Sequence, residues 1–175
     1  LFSCDREADE EGNNGEYMVT SYAPFTSEEW LEVVINSITY RITVTVDFSI
    51  TSWSALQSCI SRSKNGTILT LSQNLTARSD DSALLIPAGK TLTINLAGFT
   101  LHRALYYGDT GDVMKEDGQV IVIESGAELT LSGKGKMKGG YAQKGGGIYN
   151  GGTLNIDGDI LLTYNKAEDG GGIYN

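Results

Sequence analysis

From residue 65 onward the chain alternates short apolar–polar–apolar runs with glycine-bearing turns. NGTILTLSQNLT (65–76), AGKTLTINLAGFTL (88–101), SGAELTLSGKGKM (125–137) and NGGTLNIDGDILL (150–162) share this shape. Alternation at period two predicts half-buried strands, and the glycine ahead of each predicts a turn. Aligned by shape, Leu69 and Leu71 correspond to Leu92 and Ile94, to Leu129 and Leu131, and to Leu154 and Ile156. The separations are 23, 37 and 25 residues. A period in the low twenties with very short strands is the signature of a stacked solenoid. The last two units align without a gap: 126–150 lies over 151–175, and GGGIYN recurs identically at 145–150 and 170–175. Such a stack predicts ladders, with Leu129 on Leu154, Leu131 on Ile156, Ile148 on Ile173, Tyr149 on Tyr174 and Asn150 on Asn175. The triple glycine supplies turn conformations that need positive φ or close backbone approach. The 37-residue interval is one repeat with about a dozen extra residues, placed within 102–118.

Ahead of the repeats, SWSALQSCISR (52–62) sets Trp53, Leu56 and Ile60 on one helical face, with Ser52 as N-cap. YRITVTVDFSI (40–50) alternates as a strand. TSEEWLEVVIN (26–36) carries a capping-box pair, Thr26 and Glu29, and apolar residues at Trp30, Val33 and Val34. That pattern predicts a short helix, weakened by its β-branched residues. The expected organisation is a flexible acidic lead-in (1–25), an N-terminal cap (26–64), and repeats (65–175) that continue beyond the chain.

Charge sharpens the first of these. The net charge is −9, and residues 1–16 hold six acidic residues against Arg6 alone. A short acidic stretch with little apolar content reads as solvated and flexible. No basic stripe suits a nucleic acid. The three lysines of GKGKMKGG (133–140) read as a solvated edge. No run of 18 apolar residues predicts a transmembrane segment. Cys4 and Cys59 are too few for a cysteine metal site, and nothing in the sequence selects or excludes a disulfide between them. With one histidine, His102, the chain implies neither cofactor nor metal. The opening LFSC resembles the end of a bacterial lipoprotein signal: Leu1, Ser3 and Cys4 match, and Phe2 fits less well. Two readings stand, lipid attachment at Cys4 and an arbitrary fragment boundary.

SWSALQSCISRSKNGTILTLSQNLT followed by IPAGKTLTINLAGFTL resembles the start of right-handed parallel β-helix proteins on bacterial surfaces. The residues that carry the likeness are Gly89-Lys90-Thr91-Leu92-Thr93 and Asn95-Leu96-Ala97-Gly98-Phe99-Thr100-Leu101. The GGGIYN units resemble the Gly-Gly-Ala-Ile-Tyr-Asn repeats of polymorphic outer-membrane proteins and related adhesin-like proteins, with Gly147 and Gly172 in place of the usual Ala. The likeness covers roughly 52–175. It implies an all-β, right-handed parallel β-helix with coils of about 23–25 residues and an N-terminal helical and strand cap. It also implies a non-catalytic, cell-surface or secreted bacterial scaffold, with host glycans or matrix proteins as partners. An open C-terminal edge would pair with further coils or another chain. The alternative is a carbohydrate-active lyase or hydrolase whose groove lies mostly in coils beyond the chain, because one fold hosts many activities.

The insertion HRALYYGDTGDVMKEDG (102–118) is the leading site candidate. It gathers His102, Arg103, Tyr106, Tyr107, Asp109 and Asp112, and insertions in solenoids often form the binding face. A plain surface loop is the competing reading. Asp157 and Asp159 are the candidate acids for hydrolysis, but their equivalents one repeat earlier are Ser132 and Lys134, so no acidic column forms. Gly158 between them reads as a surface turn.

Overall fold

The computed structural model describes residues 50–106 and 118–175 in full, together with four strands before residue 45 whose backbone alone is described. The chain divides into two compact units, Leu1–Val46 and Asp47–Asn175. The boundary therefore lies ahead of the helix at 53–62, which belongs with the repeats.

The first unit contains two antiparallel ladders. Strand β1 (Phe2–Arg6) pairs with β2 (Tyr17–Ser21), within the stretch read as a flexible lead-in. Strand β3 (Glu29–Ile35) pairs with β4 (Ile38–Val44), with Ile35 opposite Ile38. The helix expected over 26–36 is thus a strand. Val33, Val34 and Ile35 are β-branched in succession, which suits a pleated strand, and Asn36-Ser37 is turn chemistry for a two-residue connection. The apolar spacing at 30, 33 and 34 was compatible with either period.

The second unit opens with α1 (Trp53–Arg62), the one helix among the described residues and too short to cross a membrane. Ser52 is extended and its Oγ accepts from the Ala55 N–H at 3.0 Å. Trp53, Leu56, Cys59 and Ile60 are buried, the face that spacing predicted. The Trp53 indole N–H donates to the Ser82 carbonyl at 2.8 Å. At the other end the Lys90 ammonium donates to the Ser63 carbonyl at 2.6 Å, a cation at the negative end of the helix dipole.

Twelve strands follow. They are β5 (Thr67–Thr70), β6 (Leu75–Thr76), β7 (Leu84–Ile86), β8 (Thr91–Asn95), β9 (Thr100–His102) and β10 (Ile121–Ile123). Then come β11 (Glu128–Lys138), β12 (Tyr141–Lys144), β13 (Ile148–Asn150), β14 (Thr153–Leu162), β15 (Lys166–Asp169) and β16 (Ile173–Tyr174). Every ladder among them is parallel. One sheet has the order β7-β10-β13-β16, a second joins β5, β6, β8, β9, β11 and β14, and a third pairs β12 with β15. Parallel neighbours need a crossover of a dozen residues or more. Here strands of the other sheets form the crossover, so the unit is all-β apart from α1.

The last two repeats pair at an offset of 25: Leu129 lies beside Leu154, Leu131 beside Ile156, and Ile148 beside Ile173. Leu129, Leu131 and Ile148 are fully buried, and Ile156 is 47% exposed because β14 is covered on one side only. The glycines ahead of Ile148 are required by contact as well as by φ. Gly145 sits at φ +64°, and a Cβ on Gly146 would overlap the Lys166 carbonyl of the next repeat.

The first repeat is in a different register from the one its shape suggested. Leu69 pairs with Ile94, and Thr67 with Leu92, so the offset is 25 here too. A slip of two residues leaves every side chain on the same face, so alternation alone cannot distinguish the two registers. Asparagine clamps decide it. Asn65 donates to the Gly89 carbonyl at 2.9 Å and accepts from the Thr91 N–H at 3.1 Å, while Asn74 accepts from the Thr100 N–H at 2.9 Å.

Candidate functional site

The strand alternation that builds the core also separates the residues of the expected loop site. In β9, Leu101 is buried and His102 faces partly outward, so the next residue turns inward. Arg103 is only 4% exposed, with its backbone N–H bonded to the Lys138 carbonyl at 2.8 Å. Its guanidinium lies 5.9 Å from the Trp53 ring centroid and packs on Gly118. Its Nε and Nη1 are buried without a hydrogen bond. Burial pulls its pKa below the ordinary value, with Asp81 opposing. The sequence placed Arg103 on a projecting loop as a ligand anchor. It is instead a packing residue, enclosed because of its parity in the strand.

His102 is half-buried. Desolvation, then the adjacent Lys138 ammonium, hold its pKa below 6.5. Tyr106 belongs to a different group: the Lys166 ammonium is 5.6 Å from its ring centroid and 5.5 Å from that of Tyr141. Tyr107, Asp109 and Asp112 lie outside the described residues, as does the side chain of Cys4. His102, Arg103 and Tyr106 therefore do not converge on one point.

The predicted ladders carry chemistry on the opposite side of the repeat. Tyr149 and Tyr174 stack with ring centroids 5.5 Å apart and planes 16° from parallel, and Asn150 donates to the side-chain oxygen of Asn175. The Lys144 ammonium donates to the Tyr174 hydroxyl at 3.1 Å and lies 4.7 Å from its ring. That hydrogen bond first, then nearby negative charge, raises the Lys144 pKa. In register with Tyr149 and Tyr174 stand Val122 and Leu85, giving one outward apolar row. A hollow of about 590 Å3 beside it is lined by Val122, Glu124, Ser125 and Tyr149.

Asp157 and Asp159 face solvent on β14, beside Ser132 and Lys134 as the 25-residue offset requires. Gly158 does not end the strand in a turn. β14 runs through it, with Gly158 at φ +152° and its partner Gly133 at φ +75°, and both strands bend there together. A lysine at the stacked position prevents a pair of carboxylates from facing each other. Among the described residues no three His, Cys, Asp or Glu side chains gather as a metal set.

The lysines of 134–138 are not at an edge. β11 is paired on one side with β8 and β9 and on the other with β14. Lys134, Lys136 and Lys138 all face outward, while Gly135 and Met137 between them are buried. A groove of about 600 Å3 is lined by Gly98, Lys134, Gly135, Lys136, Asp159 and Leu161. The period-two KGKMK run carried the signal for this face. What it could not show is that neighbours flank the strand on both sides.

No family model, curated protein or solved structure matches the chain.

Proposed function

We propose that the second unit is a right-handed parallel β-helix, and that the protein is a non-catalytic, adhesin-like display and binding scaffold on, or secreted from, a bacterial surface. The observation that carries this reading is the 25-residue parallel offset held through three successive pairings, each sheet receiving one strand per repeat. A stack of this kind grows by addition of like repeats, and the uncovered side of β14 suits a further coil or another chain. Stacked Tyr, Asn and Ile ladders stiffen such a rod. The same ladders favour display over catalysis, because Asp157 and Asp159 face Ser132 and Lys134 instead of a second acid.

Host glycans or matrix proteins are the proposed partners, and Cys4 is the proposed lipid anchor where a lipoprotein signal precedes it. The test is a binding screen of the whole chain against immobilised glycans and extracellular-matrix proteins, with and without Ca2+, alongside assays for polysaccharide cleavage. Saturable binding without cleavage is expected. Turnover of any polysaccharide would replace this reading with that of a lyase or hydrolase.

A further inference from the structure

We infer that the outward face of β11, with the groove beside it, is a binding site for an anionic polysaccharide. The inference rests on the display reading and names a ligand class and a site for it. Three lysines occupy alternate positions of one strand, so their charges recur at roughly 6.6 Å and span about 13 Å. Among the described residues none of the three is held in an ion pair. Their field reaches the neighbouring strand, where Lys138 acts on His102 directly across the ladder. A concentration of uncompensated positive charge on a chain of net charge −9 is a local feature with local complementarity.

The groove gives this charge a shape. It joins the ammonium groups of Lys134 and Lys136 to the apolar surface of Leu161, which is 51% exposed. A pyranose chain matches both surfaces, with apolar ring faces for Leu161 and exocyclic carboxylate or sulfate groups for the lysines. Lysine binds such groups as a point charge and demands no bidentate geometry. The row of three favours a polymer over a single small anion. An acidic peptide adding as a strand is disfavoured because β11 has no free edge. A nucleic acid is disfavoured because no aromatic ring lines the groove on which a base could stack. Asp159 is the groove's one acidic residue and opposes the ligand.

The experiment titrates the whole chain with heparin, dextran sulfate, hyaluronate and neutral dextran at about 50 mM salt, where screening is modest. Binding to the anionic polymers and not to dextran is expected. Affinity for both sulfated polymers but not hyaluronate assigns sulfate, and comparable affinity for all three assigns charge of either kind. The triple variant Lys134→Gln, Lys136→Gln, Lys138→Gln should lose roughly tenfold, since each exposed charge pair contributes a factor of about 1.4 to 5. Asp159→Asn should bind more tightly, a gain that misfolding cannot imitate. Equal affinity of wild type and the triple variant, or no gain in Asp159→Asn, would overturn the site. If the chain binds a neutral glycan or matrix protein unaffected by these changes, the display reading stands and this inference fails. If it binds nothing, both fail.

Discussion

Ile148 occupies the middle of a column in which Ile121 precedes it and Ile173 follows, and it is fully buried. Replacing it with Asp removes the apolar side chain, a loss of about 1.5–3 kcal/mol. It also places a carboxyl group where water cannot reach. A fully buried carboxyl is pushed up by about 3–5 pKa units, and each unit corresponds to 1.36 kcal/mol. The combined cost is about 6–10 kcal/mol, comparable to the entire stability of an ordinary domain. Ile148→Asp should therefore unfold the surrounding repeats at 25 °C, seen as loss of the cooperative melt and rapid proteolysis after residue 118. Ile148→Val should cost only about 0.5–1.5 kcal/mol and lower Tm by a few degrees. Ile173→Asp makes the same change one repeat later, at a half-buried position with a neighbour on one side only, and should cost far less. Equal effects at 148 and 173, or an Ile148→Asp protein that melts and resists protease like wild type, would refute the stacked register.

Three further outcomes follow from the same geometry. Arg103→Met should leave Tm unchanged or raise it, because it exchanges a buried guanidinium with unbonded Nε and Nη1 for an apolar chain of similar length; a fall of more than about 2 kcal/mol in urea denaturation would mean that Arg103 is well partnered. Gly133→Ala should destabilise by about 2 kcal/mol or more, since φ is +75° and the added Cβ would overlap the Asn95 side-chain oxygen. His102 has a folded pKa below 6.5, so the unfolded chain binds a proton that the folded chain refuses. Its contribution is intact above pH 6.5 and is lost as pH falls below it, and His102→Gln should flatten Tm against pH in that window.

The parts of the fold legible in the sequence are those where one pattern admits one solution. The helix over Trp53–Arg62 combines an N-cap with a single apolar face, and both are present. The pairing of 126–150 with 151–175 follows from near-identity of the two units. Where a pattern admits two solutions, the reading failed. Residues 29–35 satisfy a helical spacing and a β-branched strand at once, and the strand prevails. The first repeat slipped by two because period two cannot distinguish that slip, while Asn65 and Asn74, which do, belong to no apolar pattern. Arg103 is the harder case: composition argues that an arginine in an insertion points outward, and only the parity of β9 sends it in. The lysine face was visible as an alternating run, but strand order alone reveals that it lies inside a sheet and beside a groove.

The central claim is that repeats stack in parallel at an offset of 25 residues. Thr130 and Asn155 are partners across β11 and β14. Neighbouring strands stand about 4.8 Å apart, within the Cα separation a disulfide accepts, whereas a partner two residues along is roughly 8 Å away. The most direct measurement is oxidative cross-linking of two double variants under identical conditions, read by non-reducing electrophoresis and peptide mapping. Thr130→Cys with Asn155→Cys should form an intramolecular disulfide, and Thr130→Cys with Asp157→Cys should not. A bond in the second pair and none in the first would contradict the account.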